Sequence, residues 1–252
     1  MAQTLRKPEI VSIARREGLV TVDDLVVRFG VTPQTIRRDL TELADEGQLE
    51  RVHGGAILPS NTTNIGYSER RGLNQSAKVD IARACAKHIP NDCTVFLNIG
   101  TTTEAVAAEL IHHEGLLVVT NNINIATALS DAQGIDVVVT GGNLRRSDGG
   151  LIGDLAKQTI RQFRFDYAVI GCSALHEEGD ILDYDFLEVG VSKEIIGRSE
   201  HVFLVADATK FDRKAPARIA SLASAEVFFT DSPPPPKAQA ICDEANTRIV
   251  IA

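Results

Sequence analysis

From residue 94 onward, short apolar runs alternate with stretches that have helical periodicity, and this alternation constrains the fold more than any other feature. Each apolar run is predicted as a strand, and the runs lie at residues 94–99, 117–120, 137–140, 167–171, 202–206 and 227–230. Strands separated by helices form a largely parallel sheet with helices packed on its faces. The pattern therefore predicts an α/β domain over residues 77–252.

The predicted strands end in small and polar residues that suit a bound anion. Gly100 allows a ligand to approach the backbone closely, and a helix is predicted to begin at Thr101 and Thr102. The hydroxyls of these threonines and the free N–H groups of the helix start can bind phosphate. Parallel sheets bind ligands at the carboxyl ends of their strands. The other candidates at these ends are Thr120, Asn121, Asn122, Gly141, Gly142, Arg145 and Lys210.

The first 58 residues carry clear signals for helix starts and stops. Pro8 suits the first turn of one helix, and Thr21 suits the cap of a second helix that Gly30 ends. Thr32 and Pro33 then suit the cap and first turn of a third helix. Two short helices separated by about three residues predict a helix-turn-helix.

A glycine pair follows the third helix and predicts a hairpin. Gly54 and Gly55 lie between two extended runs, so the helix-turn-helix gains a wing. Gln side chains can bond adenine in two places, Arg can bind guanine or phosphate, and Thr can touch phosphate or a thymine methyl. The candidate contacts to double-stranded DNA on the third helix and the wing are Thr32, Gln34, Thr35, Arg37, Arg38, Arg51 and His53.

Overall charge does not indicate a nucleic-acid partner. The net charge is −8, and the first 55 residues hold eight basic and nine acidic residues. An alternative for Arg37 and Arg38 is therefore pairing with Asp39, Glu42 or Asp45 on a solvated helix. The winged helix-turn-helix frame favours contact with DNA over this alternative.

Residues 59–76 are polar and lack sustained periodicity, which predicts a linker between domains 1–58 and 77–252. Within it, Glu69, Arg70 and Arg71 are expected to form a solvated charge cluster.

No apolar run approaches the length of a membrane span, and the N-terminus lacks the apolar core of a signal peptide, so a cytoplasmic location is expected. The four cysteines lack metal-ligand spacing and are expected to be buried small residues, so we expect neither a metal nor a cofactor.

Several of these runs resemble one family. The segment VTPQTIRRDLTELADEGQLERVHGGAIL resembles the DNA-binding region of DeoR-type bacterial regulators, with TIRRDL and RVHGGA as its specific parts. The later runs IGTT, TNN, GGNLR, DGGLIG and DATKF are similar to the sensor domain of the same regulators, so the resemblance covers nearly the whole chain. It implies a sensor fold similar to that of ribose-5-phosphate isomerase and glucosamine-6-phosphate deaminase.

The resemblance also implies a ligand and a way of working. The effector would be a small phosphorylated metabolite, glycerol 3-phosphate or a sugar phosphate, that controls a DNA-binding repressor acting as a homodimer or homotetramer. Two positions depart from the family pattern, since Asn98 replaces an Asp and Ser192 replaces a Lys. The residues implied to line the effector pocket are 100–102, 120–122, Gly141, Gly142, Gly153, Asp183, Glu188 and Lys210.

Two other functions are compatible with the same residues. A sugar-phosphate isomerase or deaminase with an appended DNA-binding domain would need a general base and an electrophilic partner. Asp183, Asp185, Glu188 and Lys193 are candidates, but they fall in one short stretch. A DNA-binding scaffold whose second domain only oligomerises is less compatible with the Gly, Thr and Asn residues at the strand ends.

Overall fold

The structure is a computed structural model that describes residues 3–17, 19–45, 48–52, 54–57 and 66–252. The chain divides into two compact units, Met1–Ile65 and Gly66–Ala252. The first is the N-terminal unit and the second is the C-terminal unit. No described helix is long and apolar enough to cross a membrane.

The N-terminal unit combines three helices with a small antiparallel sheet. The predicted hairpin is present, and a strand that precedes the second helix joins it, which gives the strand order β1-β3-β2. The first helix begins before Pro8, which therefore lies inside it rather than in its first turn. The elements are α1 (Gln3–Glu17), β1 (Leu19–Thr21), α2 (Val22–Phe29), α3 (Pro33–Asp45), β2 (Glu50–Val52) and β3 (Gly55–Ile57).

Capping and close packing fix the frame of this unit. The Thr21 hydroxyl accepts the N–H of Asp24 at 3.1 Å, and Gly30 ends α2 with a left-handed φ of 64°. In the hairpin, Gly54 has a φ of 78°, and a Cβ on Gly55 would lie 2.0 Å from the carbonyl oxygen of Val20. Glycine is favoured at position 54 by the left-handed backbone, and at position 55 because β1 leaves no room for a side chain. The apolar side chains buried on α3 are Ile36, Leu40 and Leu43.

The C-terminal unit is built on a seven-stranded parallel sheet, which confirms the predicted α/β class. All six strand pairs are parallel, and the strand order is β15-β14-β12-β9-β4-β5-β6. Two apolar clusters cover the strands, one under α8, α9 and α10 and one under α5, α6 and α7. The sheet strands are β4 (Thr94–Leu97), β5 (Leu116–Thr120), β6 (Ile135–Val139), β9 (Phe165–Ile170), β12 (Ser199–Val205), β14 (Val227–Thr230) and β15 (Arg248–Ile251).

Smaller elements surround the sheet. A two-stranded hairpin pairs β7 with β8, and a three-stranded antiparallel sheet has the order β10-β11-β13. The short strands are β7 (Asn143–Arg145), β8 (Gly150–Ile152), β10 (Ala174–Leu175), β11 (Asp180–Asp183) and β13 (Ala217–Ser221). The helices are α4 (Tyr67–Gly72), α5 (Gln75–Ala86), α6 (Thr101–Leu110), α7 (Ile123–Leu129), α8 (Asp154–Ile160), α9 (Phe186–Ile196) and α10 (Pro236–Ala245).

Two sequence expectations differ from the fold. Helix α4 and the start of α5 lie within residues 59–76, so the later part of the predicted linker belongs to the C-terminal unit. Cys85 and Cys242 are buried as expected, whereas Cys93 and Cys172 are partly exposed.

The order of the sheet strands locates the crevice of the domain. From β4 the chain first adds β5 and β6 on one side, and it then returns to add β9 and the later strands on the other. The strand order therefore reverses between β4 and β9. In open parallel sheets, ligands bind outside the carboxyl ends of the strands at such a reversal.

Candidate functional site

Helix α3 presents one polar face to solvent. Thr32, Gln34, Arg37 and Arg38 are exposed and Thr35 is half-buried, while the apolar residues of the helix face inward. The Thr32 hydroxyl accepts the N–H of Thr35 at 3.3 Å and lies 2.9 Å from its hydroxyl. Thr32 therefore caps the helix, which leaves Gln34, Arg37 and Arg38 as the long side chains at its exposed start.

The alternative of ion pairing on α3 holds for only one of the two arginines. Arg38 lies 3.6 Å from Glu42, one turn along the helix. Asp39 is fully buried, and its partner is the buried Arg6 of α1. Arg37 donates only a long hydrogen bond of 3.5 Å to Gln34, and no carboxylate lies within ion-pair distance of it among the residues described.

Arg51 on the wing adds a second cation beside Arg37. Burial and the charge of Arg37 lower the pKa of the Arg51 guanidinium, which places the two side chains within electrostatic reach of each other. Two adjacent arginines that repel each other gain from a phosphate between them. The structure thus brings α3 and the wing together, and the predicted contact His53 lies outside the described residues.

The C-terminal unit has a cavity at the carboxyl ends of β4 and β9, where the strand order reverses. It is small and partly open to solvent. This is called the switch-point cavity below. Its lining residues are Arg70, Ile99, Gly100, Thr101, Thr102, Gly171, Cys172, Ser173, Asp183, Glu188 and Lys210.

Six of the predicted effector residues line this cavity together. Gly100, Thr101 and Thr102 form the first turn of α6, and Asp183, Glu188 and Lys210 come from the far side of the sheet reversal. Lys210 is only 9% exposed, and no carboxylate lies within ion-pair distance of it in the part of the chain that the structure describes. Burial and the neighbouring Arg213 lower its pKa. A buried, poorly compensated cation beside a helix N-terminus attracts anions.

Two carboxylates of the cavity have structural partners. Asp183 accepts the Ser173 hydroxyl at 2.8 Å and the N–H of Tyr184 at 2.7 Å. Glu188 lies 2.5 Å from the guanidinium of Arg145, and burial followed by the charge of Asp183 raises the pKa of Glu188 to about 8. Because its pKa is raised, Glu188 adds less negative charge to the cavity wall at neutral pH than an ordinary carboxylate would.

Arg145 was predicted as a ligand contact, but its guanidinium is occupied. It lies 2.7 Å from Asp148, 2.6 Å from Asp185 and 2.5 Å from Glu188. Arg145 therefore joins β7 to the start of α9 and supports Glu188 from behind the lining.

The predicted residues of the β5 end do not reach the cavity. Thr120 donates to the Leu97 carbonyl oxygen at 2.7 Å, and the Asn121 amide donates to Leu151 at 3.2 Å. Asn122 caps α7 by accepting the N–H of Asn124 at 2.8 Å. These side chains fasten β5 to its neighbours, because β5 lies one strand away from the reversal.

The three predicted glycines beyond β6 shape a turn rather than the cavity. Gly142 and Gly153 have φ angles of 138° and 95°. A Cβ on Gly142 would lie 2.8 Å from the carbonyl oxygen of Ile152, and one on Gly141 would lie 2.9 Å from Leu155. Glycine at these places lets the β7–β8 hairpin fold closely onto α8.

The two departures from the family pattern contact each other. The amide of Asn98 donates to the Ser192 hydroxyl at 2.9 Å, and its oxygen accepts the N–H of Ile99 at 2.7 Å. Both side chains are almost fully buried, and Lys193 is exposed. A neutral buried pair thus stands next to Ile99 of the cavity lining, where the resemblance implies an Asp and a Lys.

Sequence reasoning missed five lining residues, one of which is Ile99, just after β4. Arg70 was expected in a solvated cluster, yet its side chain is only 17% exposed and reaches the cavity. Gly171, Cys172 and Ser173 follow β9, the strand on the other side of the reversal. The end of β9 was a recognisable strand end, but only the strand order identifies it as the neighbour of β4.

Comparisons with known families divide the chain at nearly the same place as the fold. A model described as the DeoR-like helix-turn-helix domain matches residues 6–62. A model described as the DeoR C terminal sensor domain matches residues 73–232.

Curated relatives match over almost the full length. The chain is 42% identical over 235 residues to the glycerol-3-phosphate regulon repressor of Escherichia coli (strain K12), covering 93% of each. It is 43% identical to the protein of the same name from Haemophilus influenzae, covering 93% of this chain and 91% of that one. Among solved structures, ribose 5-phosphate isomerase A from Methanocaldococcus jannaschii aligns with a TM-score of 0.42 and 12% identity over 55% of each chain.

Proposed function

Because the chain belongs to the DeoR family of transcriptional regulators, we propose that it is a repressor controlled by a phosphorylated metabolite. Helix α3 and the wing would bind operator DNA, and the switch-point cavity would bind the metabolite. Binding of the metabolite would shift the protein toward a state with lower affinity for the operator.

One observation in the C-terminal unit carries the proposal. Lys210, a buried cation, and the first turn of α6 at Thr101 and Thr102 converge in one cavity. Free backbone N–H groups, hydroxyls and an ammonium are the donors that a phosphate requires. A small phosphorylated ligand fits the charge and the donor groups of this cavity.

We favour glycerol 3-phosphate among phosphorylated metabolites, because two relatives that match over more than 90% of their length are named for its regulon. Sugar phosphates are the next class to examine. The cytoplasmic location expected from the sequence agrees with a protein that acts on DNA, and it stays a prediction. Paired half-sites in operators also favour a dimer or tetramer, which sedimentation analysis can determine.

The positions of the candidate acid–base groups do not favour an enzyme. Asp183 accepts three hydrogen bonds from neighbouring protein groups. Arg145 holds Glu188 and Asp185, and Lys193 is exposed and does not line the cavity. The relatives are named as repressors, in agreement with a regulator that does not turn over its ligand.

A gel-shift assay on the DNA upstream of the protein's own gene tests the proposal. We expect a specific complex that glycerol 3-phosphate weakens and glycerol does not. Absence of a specific complex under every effector condition would overturn the DNA-binding part. Calorimetry with glycerol 3-phosphate and sugar phosphates distinguishes the two alternative functions. A scaffold should bind none of them, and an isomerase should turn over ribose 5-phosphate.

A further inference from the structure

Arg70 lines the switch-point cavity from α4, the first helix of the C-terminal unit. We propose that Arg70 is an anion-binding residue that exchanges the carboxylate of Asp148 for the phosphate of the bound metabolite, which ties α4 to the ligand. This inference rests on the proposed function and deepens it. It assigns to Arg70 a role in carrying the binding signal out of the cavity.

The guanidinium of Arg70 is only partly satisfied. One terminal nitrogen donates to Asp148 at 3.2 Å, a longer distance than the other ion pairs of this cluster. Its Nε is buried and has no hydrogen-bond partner among the described residues. A guanidinium can bind a phosphate through two parallel N–H groups, so a phosphate in the cavity would satisfy donors that the present contacts leave unused.

Asp148 can release Arg70 without becoming an unpaired charge. Its carboxylate also accepts two bonds from Arg145, at 2.9 and 2.7 Å, and the N–H of Gly150 at 3.3 Å. Arg145 therefore compensates Asp148 when Arg70 leaves. Because an unpaired buried charge is the main cost of breaking such a pair, the exchange is inexpensive.

Cations concentrate around Arg70. Lys210 lines the same cavity, and the pKa of the buried Lys78 is lowered to about 8 by its burial and by the charge of Lys210. The charges of Arg70 and Arg213 also lower the pKa of both lysines, and Asp207 partly offsets them. A phosphate dianion would relieve this repulsion among buried cations.

Helix α4 is fastened at both ends to the body of the unit. The Tyr67 hydroxyl donates to Glu104 at 2.8 Å and accepts the Asn124 amide at 3.0 Å. The Lys78 ammonium donates to the carbonyl oxygens of Arg70 and Leu73. In sequence, α4 follows directly after residues 58–65, so a change in α4 acts where the chain enters the C-terminal unit.

Full-length wild type, Arg70→Gln, Arg70→Lys and the control Arg71→Gln test the proposal. Arg71 lies on the same short helix but is exposed and does not line the cavity. Calorimetry with inorganic phosphate, glycerol 3-phosphate and glycerol gives affinities, and hydrogen exchange of the α4 amides reports the coupling. We expect Arg70→Gln to weaken both phosphates ~10- to 100-fold, the range of a lost charged hydrogen bond.

Arg70→Lys should retain part of the affinity, and Arg71→Gln should match wild type. Glycerol 3-phosphate should protect the α4 amides in wild type and Arg71→Gln but not in Arg70→Gln. Equal phosphate affinities for wild type and both Arg70 variants would overturn the inference while leaving the proposed function intact. A wild type that binds no phosphorylated ligand would instead count against the proposed function. If Arg70→Gln does not fold, unchanged affinity in Arg70→Lys together with unprotected α4 amides in wild type still overturns it.

Discussion

The two candidate sites of this molecule are built in opposite ways. On α3 and the wing, the candidate side chains are exposed and project from a frame held by other residues. In the switch-point cavity, most of the candidate polar side chains are buried and several also hold the structure together, as Asp183 and Glu188 do. Function and stability are therefore separable in the N-terminal unit and shared in the C-terminal unit.

The difference follows from what each site must recognise. DNA is a large polyanion that an exposed surface can bind, and exposed cations need no buried partner to contact it. A small phosphorylated molecule must be surrounded, so its donors lie inside the domain and need compensation before it arrives. Substitutions should accordingly separate binding from stability in the first site more cleanly than in the second.

The largest expected effect is on the frame of the N-terminal unit. Asp39→Ala leaves the buried Arg6 without its carboxylate, and breaking such a pair costs about 3–5 kcal/mol of stability. Thermal unfolding should show this loss. Glu42→Ala, the control, removes only partly exposed pairs and should cost less than about 1 kcal/mol. Equal costs for the two variants would contradict the division between frame and surface.

Removing Arg37 should weaken DNA binding without affecting folding. Arg37→Ala is expected to cost ~1–3 kcal/mol if it contacts a base, or to reduce the salt slope by about one if it contacts phosphate. Arg38→Ala should cost less binding free energy, because the Arg38 guanidinium is also paired with Glu42. Fluorescence anisotropy over a salt series measures both, with Arg83→Ala on α5 as a control. An Arg37→Ala variant that binds DNA like wild type would contradict the assignment of α3 to the DNA interface.

The sequence predicts the first of these two sites better than the second. The exposed face of α3 follows from helical periodicity around Ile36, Leu40 and Leu43, which is a local property. The cavity depends on which strands are neighbours, and no local pattern states that β9 rather than β5 supplies its second wall. Thr120 and Asn122 have the right chemistry at a strand end, but their strand lies away from the reversal.

Within the cavity, loss of the Thr102 hydroxyl should affect binding more than folding. Thr102→Val is nearly isosteric and is expected to weaken glycerol 3-phosphate by about 1.5 kcal/mol, roughly tenfold. Operator binding should persist at effector concentrations that release wild type, which gives a super-repressor in a reporter assay. Thr127→Val on α7, whose hydroxyl bonds within its own helix, is the control. Loss of operator binding by folded Thr102→Val would refute the assignment.

The smallest expected effect is a dependence on pH. Glu188, which faces Arg145 and Asp183, is neutral below its pKa of about 8 and becomes negative above it. Lys78 loses positive charge over the same range, since its pKa is also about 8. Both changes disfavour an anion, so affinity for glycerol 3-phosphate should fall between pH 7 and pH 9. Calorimetry should show a smaller fall for Glu188→Gln, and an affinity that rises with pH would contradict this assignment.

Reciprocal coupling tests the central claim that the cavity controls DNA binding. The factor by which saturating glycerol 3-phosphate weakens operator binding must equal the factor by which operator DNA weakens glycerol 3-phosphate binding. We predict equal factors within the range of about 5–150 typical of allosteric proteins, measured by anisotropy and calorimetry on the same preparation. An affinity for glycerol 3-phosphate that is the same with and without operator DNA would contradict the account.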